Sequence, residues 1–311
     1  MASSIVVRLA RPSELSPACD LLAEYRPLRR HAVQAKAYLT PLTNGTIDPA
    51  GLLVAEDARG ELLGAILTLR LDGAMGIVWP PGVAAGHDHE AVEDALVSSA
   101  CSQLRTHGVK VAQWLPRSGD DDGVASLERQ GFACVTRLSL WRRDLTVAAG
   151  LPRTRAALEF VPFPEAEDFT SSLLASYEGS LDCPESVGHR TSAELMAAHG
   201  PPPSQSEAAL WYVARHEALP IGVVLLNRGE TPASGELNYI GVVTDARSRG
   251  FGRELMRFAI RRSVEVGFRN LTLSVDVRNE IALQLYRSLG FRPFEWRDVY
   301  NRVLVDGEKL F

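Results

Sequence analysis

Apolar positions in this chain form short strand-like runs alternating with helical stripes, and the whole alternation occurs twice. In the second half, Trp211–Ala214 is an apolar strand, a turn region follows through Leu219-Pro220, and Gly222–Leu226 is its hairpin partner. Glu236–Val243 reads as the next strand, closed by Thr244-Asp245. From about Gly252 to Val266, the residues Leu255, Phe258, Ala259 and Val266 share one helical face, and Gly267 ends that helix. Leu271–Val277 is a strand, Glu280–Leu289 a helix with Asn279 at its N-cap, and Phe294–Leu304 a final strand. These elements predict a mixed α/β fold.

The first half carries the same landmarks. Gly82-Val83 matches Gly241-Val242, Leu96 matches Leu255, Gly108 matches Gly267, and Gly131-Phe132 matches Gly290-Phe291, each displaced by 159 residues. Leu53–Ala55 and Gly64–Ile66 match Tyr212–Ala214 and Gly222–Val224 after a one-residue shift. The chain is therefore expected to be two copies of one fold, residues 1–147 and 155–311, joined by a linker over residues 148–154.

Composition adds limits. The 311 residues suit two domains, with 46% hydrophobic and 23% charged residues as in soluble globular proteins. A net charge of −5 with interspersed signs gives no sign of a nucleic-acid or membrane surface. No signal peptide and no membrane-spanning run are read, and Cys19, Cys101, Cys134 and Cys183 show no zinc or redox spacing. The expectation is a cytoplasmic protein with reduced thiols and no metal.

The chemistry lies in Val242-Val243-Thr244-Asp245-Ala246-Arg247-Ser248-Arg249-Gly250-Phe251-Gly252, which passes from a strand straight into a helix. A diphosphate needs several converging backbone N–H groups with no side chains in the way. Gly250 and Gly252 permit that approach, a helix N-terminus adds unsatisfied donors, and Arg247 and Arg249 add positive charge.

This Arg-x-x-Gly-x-Gly pattern, followed by Asn279, Ala282, Tyr286, Gly290 and Phe291 at Asn-x-x-Ala-x-x-x-Tyr-x-x-x-Gly-Phe spacing, resembles the GCN5-related N-acetyltransferase superfamily over roughly residues 155–311. The resemblance implies a sheet whose central parallel strands splay apart to admit the pantetheine arm of acetyl-CoA, the implied co-substrate. It implies that backbone groups of Val242 and Val243 pair with that arm. The diphosphate would then be held by Arg247, Ser248, Arg249, Gly250, Phe251, Gly252 and Arg253, and the arm contacted by Asn279. It further implies that Tyr286 protonates the departing thiolate. Glu236 is similar in placement to a strand glutamate that deprotonates the amine, and it shares strand parity with Val242; a water chain to bulk is the alternative.

The acceptor side should be Ser176–Glu185 with His189 and Arg190. There Glu178, Asp182 and Glu185 offer carboxylates for an amine, and His189 a proton acceptor. In the first copy the chemical positions are lost: Asp88 stands for Arg247, Ala91 for Gly250, Glu93 for Gly252, Leu127 for Tyr286 and Asp120 for Asn279. That copy is expected to be a degenerate, non-catalytic domain, an arrangement resembling the mycothiol synthase type in outline. The expected function is acetyl transfer from acetyl-CoA to a primary amine of a small molecule or peptide in a ternary complex. A non-catalytic acyl-CoA sensor and a transferase using a longer acyl-CoA are the alternatives.

Overall fold

The computed structural model describes residues 5–24, 31–119, 123–146, 158–163, 165–186, 188–199, 210–229 and 231–305. The expected linker and Asp120 lie outside them. Contacts divide the chain into two units, Met1–Val135 with Val299–Leu310, and Thr136–Asp298 with Phe311.

In the first half the chain order is β1 (Val6–Leu9), α1 (Leu15–Glu24), α2 (His31–Thr43), β2 (Leu52–Glu56), β3 (Leu62–Leu71), β4 (Met75–Val78), β5 (Gly82–Val83), α3 (His89–Thr106), β6 (Val111–Trp114) and α4 (Val124–Arg129). It continues with β7 (Ala133–Asp144), β8 (Glu159–Pro162), α5 (Phe169–Tyr177), α6 (Ser192–Ala197), β9 (Trp211–His216) and β10 (Leu219–Arg228). The last elements are β11 (Ser234–Val242), α7 (Phe251–Glu265), β12 (Asn270–Asp276), α8 (Glu280–Ser288) and β13 (Arg292–Val303). Among the described residues, no helix is long and apolar enough to cross a membrane.

Each unit is built on one mixed sheet, and the registers prove the repeat. In the first unit β4 runs parallel to β6 with Met75 opposite Val111; in the second, β11 runs parallel to β12 with Ser234 opposite Asn270. Both partners are displaced by 159 residues. The neighbouring antiparallel pairs obey the same displacement, Val303 opposite Val111 in the first unit and Asp144 opposite Asn270 in the second. By position β13 is the counterpart of β7, yet the end of β13 completes the first unit's sheet and β7 completes the second's. The contact units therefore do not divide at the linker: the closing strand of each repeat belongs to the opposite unit.

The second unit orders its strands β7-β12-β11-β10-β9-β8. Ile221–Leu226 in β10 is a continuous apolar run, buried throughout, as befits a strand covered on both faces. Leu255, Met256, Ala259 and Ile260 of α7 are fully buried against this core, at the spacing that puts them on one face. Each such side chain contributes about 1.5–3 kcal/mol. The reversal between β9 and β10 falls at Glu217-Ala218, both left-handed (φ 52° and 65°), inside the expected turn region, and Leu219-Pro220 already belong to β10. Two consecutive left-handed residues form the tight hairpin turn whose twist matches the strands.

The repeated glycines have a steric cause. A Cβ on Gly82 would strike the Leu21 carbonyl of α1, and one on Gly241 would lie 2.5 Å from Ser176 Oγ and 2.7 Å from Ser176 Cβ of α5. In both units a helix presses against the backbone of the strand at this point, leaving no room for a side chain. Gly241→Ala is accordingly expected to lower stability by about 1–3 kcal/mol in urea unfolding, through overpacking.

Candidate active site

The pairing of β11 with β12 extends over Ser234, Gly235 and Glu236 opposite Asn270, Leu271 and Thr272. At that point β11 carries an extra residue: Leu226 faces Leu237 and Leu225 faces Tyr239, so Asn238 forms a bulge. A bulge bends its strand and increases its twist, and beyond it β11 leaves its partner. A cavity of about 680 Å³ lies there, bounded by Tyr239–Val242 of β11, the loop into α7, the start of α8 and the segment after α5.

The loop has the geometry expected of an anion cradle. After a single 3-10 turn at Thr244–Ala246, Ser248 (φ 61°) and Gly250 (φ 83°) adopt left-handed conformations, and Gly250 caps α7. The N–H groups of residues 248–252 donate to no backbone carbonyl among the described residues. They stand at the positive end of a 15-residue helix. A Cβ on Gly252 would meet only ordinary contacts, Leu285 and Val242 at 3.8 Å. Nothing within the chain demands glycine at 252, whereas a ligand lying against the backbone would.

The arginines divide. Arg247 lines the cavity, but its guanidinium is committed to the protein: Nε donates to Val242 O (3.0 Å), Nη2 to Ser176 O (3.0 Å) and Nη1 to Gly179 O (3.3 Å). Two of these carbonyls lie at the end of α5, where unpaired acceptors and the negative end of the helix dipole draw a cation. Arg247 therefore ties the loop to the acceptor segment, and its charge is not directed at a phosphate. Arg249 is exposed, its guanidinium 5.0 Å from the Phe251 ring. Arg253 lines the cavity and donates to Ser288 Oγ at 2.9 Å.

Val242 lines the cavity while Val243 donates its N–H to Ile221 O of β10. Along an antiparallel ladder such groups alternate in direction, so Val242 and Ile240, not Val243, turn their amides toward the gap. Asn279 lines the cavity and caps α8, its Oδ1 accepting from Ala282 N (3.2 Å). Tyr286 is 7% exposed and lines the cavity; its hydroxyl has no hydrogen-bond partner among the described residues. Burial raises its pKa well above the usual tyrosine value.

Glu236 is exposed at the last paired position of β11 and is not among the cavity-lining residues. Its expected parity with Val242 does not survive. The bulge at Asn238 inserts a residue between them, which places Glu236 on the face of Asn238 and Tyr239 and Val242 on the face of α7.

Of the expected acceptor segment, Ser176, Gly179, Ser180, Leu181 and Asp182 line the cavity, and Asp182 is the one carboxylate among them. Glu178 is exposed, with its backbone oxygen accepting from Thr244 Oγ1 at 3.3 Å, and His189 stands outside the lining. Glu185 forms a two-point ion pair with Arg278 (2.7 and 2.9 Å) that lowers its pKa. Asp182 Oδ1 accepts from Asp276 N (2.6 Å), and burial raises the pKa of its carboxyl above the ordinary range. Asp276 is fully buried; burial alone would raise its pKa, but hydrogen bonds from Arg278 and Thr136 Oγ1 hold it below the usual value. Asp182, Cys183 and Asp276 bring potential ligand atoms within 4.8 Å of one another. Both Asp276 oxygens are already taken by Arg278, Thr136 and the Cys183 amide, so the group is an ion-pair node that pins the loop to β12.

Sequence reasoning missed Tyr239 and His199, and gave Ser176 only as the start of the acceptor segment. Tyr239 Oη lies 2.9 Å from Ser176 Oγ, which in turn donates to Leu173 O (2.7 Å), and burial pushes its pKa up to about 12. His199 contacts Tyr177 and Asn238 beneath the bulge. None of these belongs to a linear pattern, since they meet only when α5, α6 and β11 pack.

The first unit shows what the same positions do without a cradle. Asp88 caps α3 by accepting from Ala91 N at 3.2 Å. Arg129 binds Glu93 (2.7 Å) and Asp94 (3.0 Å), with Glu90 at 3.6 Å. By the 159-residue displacement Asp94 and Arg129 stand for Arg253 and Ser288, so a carboxylate replaces the arginine at the helix start and the arginine sits at the position of the serine. A cluster of carboxylates would repel a diphosphate.

Residues 176–291 match the family model described as "Acetyltransferase (GNAT) family". A mycothiol acetyltransferase of Jonesia denitrificans is 28% identical over 218 residues, 65% of each chain, so the match spans just under two thirds of that relative's length. One from Actinosynnema mirum is 28% identical over 298 residues, covering 90% of this chain and 93% of the relative. The solved structure of a GCN5-related N-acetyltransferase from Sphaerobacter thermophilus shares the fold over 98% of both chains, with a TM-score of 0.60 at 18% identity. The family-model match falls on the repeat that carries the cradle loop, Asn279 and Tyr286: residues 176–291 form an acetyltransferase domain of the GNAT family.

Proposed function

We propose that the second unit transfers an acetyl group from acetyl-CoA to the primary amine of a small molecule, and that the first unit is non-catalytic. The observation that carries this reading is a cavity lined together by Ser248 and Gly250–Gly252 of the cradle, by the buried Tyr286 and by Asp182. The relatives' name, mycothiol acetyltransferase, supports a small-molecule acceptor.

The chain's residues fit acetyl-CoA, which supplies the acyl group as a thioester. The loop amides and Arg253 hold the diphosphate, and the amides of Ile240 and Val242 offer the pantetheine arm the strand edge that β12 has left. Asp182 receives the acceptor's ammonium at the other end. The bound ammonium first yields one proton to water, and the free amine then attacks. A C–N bond forms as the C–S bond breaks, Tyr286 gives its proton to the departing sulfur, and the second amine proton restores the tyrosine hydroxyl through water. A hydroxyl whose pKa is raised stays protonated at neutral pH and is ready to donate.

Acceptor-stimulated release of free CoA across a panel of amines tests the reading, and a complete lack of stimulation would sink it. Tyr286→Phe should lower kcat by about 10²-fold and leave acetyl-CoA affinity in calorimetry unchanged; an unchanged kcat removes Tyr286 from the reaction. Asp182→Asn retains the Oδ1 contact to Asp276 N but loses the charge, and should raise the acceptor KM about tenfold or more. Anchoring needs the carboxylate, so wild-type kcat/KM for the acceptor should fall as pH drops through the raised Asp182 pKa, and Asp182→Asn should lack that limb. Titration calorimetry should give one acetyl-CoA per chain; two sites would refute a non-catalytic first unit.

A further inference from the structure

The bulge at Asn238 is held from one side by a buried histidine to which neither the motif nor the cavity lining assigns a part. His199, 7% exposed, follows α6 and grips Asn238 at both ends of its amide. His199 Nδ1 lies 3.1 Å from Asn238 Oδ1, and Asn238 Nδ2 donates to His199 O at 3.2 Å. Because the amide oxygen can only accept, Nδ1 carries the proton. Nε2 then accepts from the Tyr177 hydroxyl at 2.6 Å. Burial keeps the His199 pKa below its usual value, which favours this neutral tautomer. The ring also packs against Tyr239, centroids 5.3 Å apart.

The local sequence does not by itself say where the extra residue of β11 must sit. A bulge displaced by one position would turn the side chains and amides on either side of it to opposite faces. The residues just after the bulge, Tyr239–Val242, line the cavity, and Ile240 and Val242 present their amides to it. The double grip fixes the extra residue at 238 and so decides which amides face the reacting group.

We propose that His199 is a positioning residue for acetyl transfer, locking the β11 bulge at Asn238 so that the amides beyond it face the thioester. The proposal rests on the transfer reading given above. The diphosphate contacts lie in the loop after β11 and are kept, so kcat should fall further than cofactor affinity.

The test compares His199→Leu, His199→Asn and Asn238→Ala by acceptor-stimulated CoA release, acetyl-CoA calorimetry and the amide spectrum of 15N-labelled protein. His199→Leu and Asn238→Ala should each lower kcat tenfold or more with a smaller loss of acetyl-CoA affinity, and the double variant should be no worse than either. His199→Asn should recover most of kcat, because its side-chain NH2 reaches Asn238 Oδ1 from the position of Nδ1. On acetyl-CoA addition the Ile240 and Val242 amides should shift in wild type and in His199→Asn, but not in His199→Leu. Wild-type kcat in folded Asn238→Ala, or equal losses in His199→Asn and His199→Leu, overturns the proposal. If His199→Leu does not fold, Asn238→Ala decides alone, since it cuts the same tie without emptying the core. If no amine stimulates CoA release in wild type, the transfer reading fails, and the amide shifts still show whether His199 sets the strand.

Discussion

Two neighbouring parallel strands cannot part inside a protein without stranding backbone donors and acceptors, and such groups are costly when buried and unpaired. In the second unit β11 and β12 do part after Glu236 and Thr272, and the surrounding features follow from that. The bulge at Asn238 supplies the bend. The amides of Ile240 and Val242 are left facing a gap, and a ligand with its own amide groups is the natural partner for such an edge. In the first unit the matching strand breaks into β4 and β5 across Trp79-Pro80-Pro81, and proline offers no N–H for a ligand.

Around this gap the charges are segregated. The α7 end carries free N–H groups and Arg253, while the other end carries Asp182 beside the Asp276, Arg278 and Glu185 node. Arg247 spans the two, using its guanidinium on carbonyls of α5 and β11. Three charge-assisted bonds of this kind, each worth about 1.5–3 kcal/mol, fix the acceptor segment against the cofactor loop. The guanidinium of Arg247 is therefore not free for the phosphate contact expected of it, and the proposed reading gives that contact to the backbone amides and to Arg253.

The two repeats keep one backbone plan while differing in the residues at the cradle. The parallel registers, the glycines under α1 and α5, and the core leucines Leu96 and Leu255 are preserved, because each is demanded by packing. Gly250 and Gly252 have no such demand on them. Their counterparts Ala91 and Glu93 are accommodated in α3, whose N-terminus is capped by Asp88 and whose carboxylates are gathered by Arg129.

Periodicity and residue spacing alone were enough to recover the repeat, the mixed fold, the cradle loop and the Asn279 cap, since each depends on local pattern or on glycine and capping chemistry. The place of Tyr286 beside the cofactor was implied by the family resemblance. Tertiary structure decided the rest. The exchange of β7 and β13 between units is invisible in sequence, because both strands read alike and either sheet accepts them. The Glu236 parity failed because a bulge adds a residue without leaving a mark in the hydrophobic pattern. Arg247 turned inward because carbonyls distant in sequence converge on it, and His199 acquired a partner in Asn238 only when α6 closed over β11. Local pattern specifies elements and their caps, whereas the partner of a polar side chain is settled by which distant backbone and side-chain groups are left unsatisfied beside it.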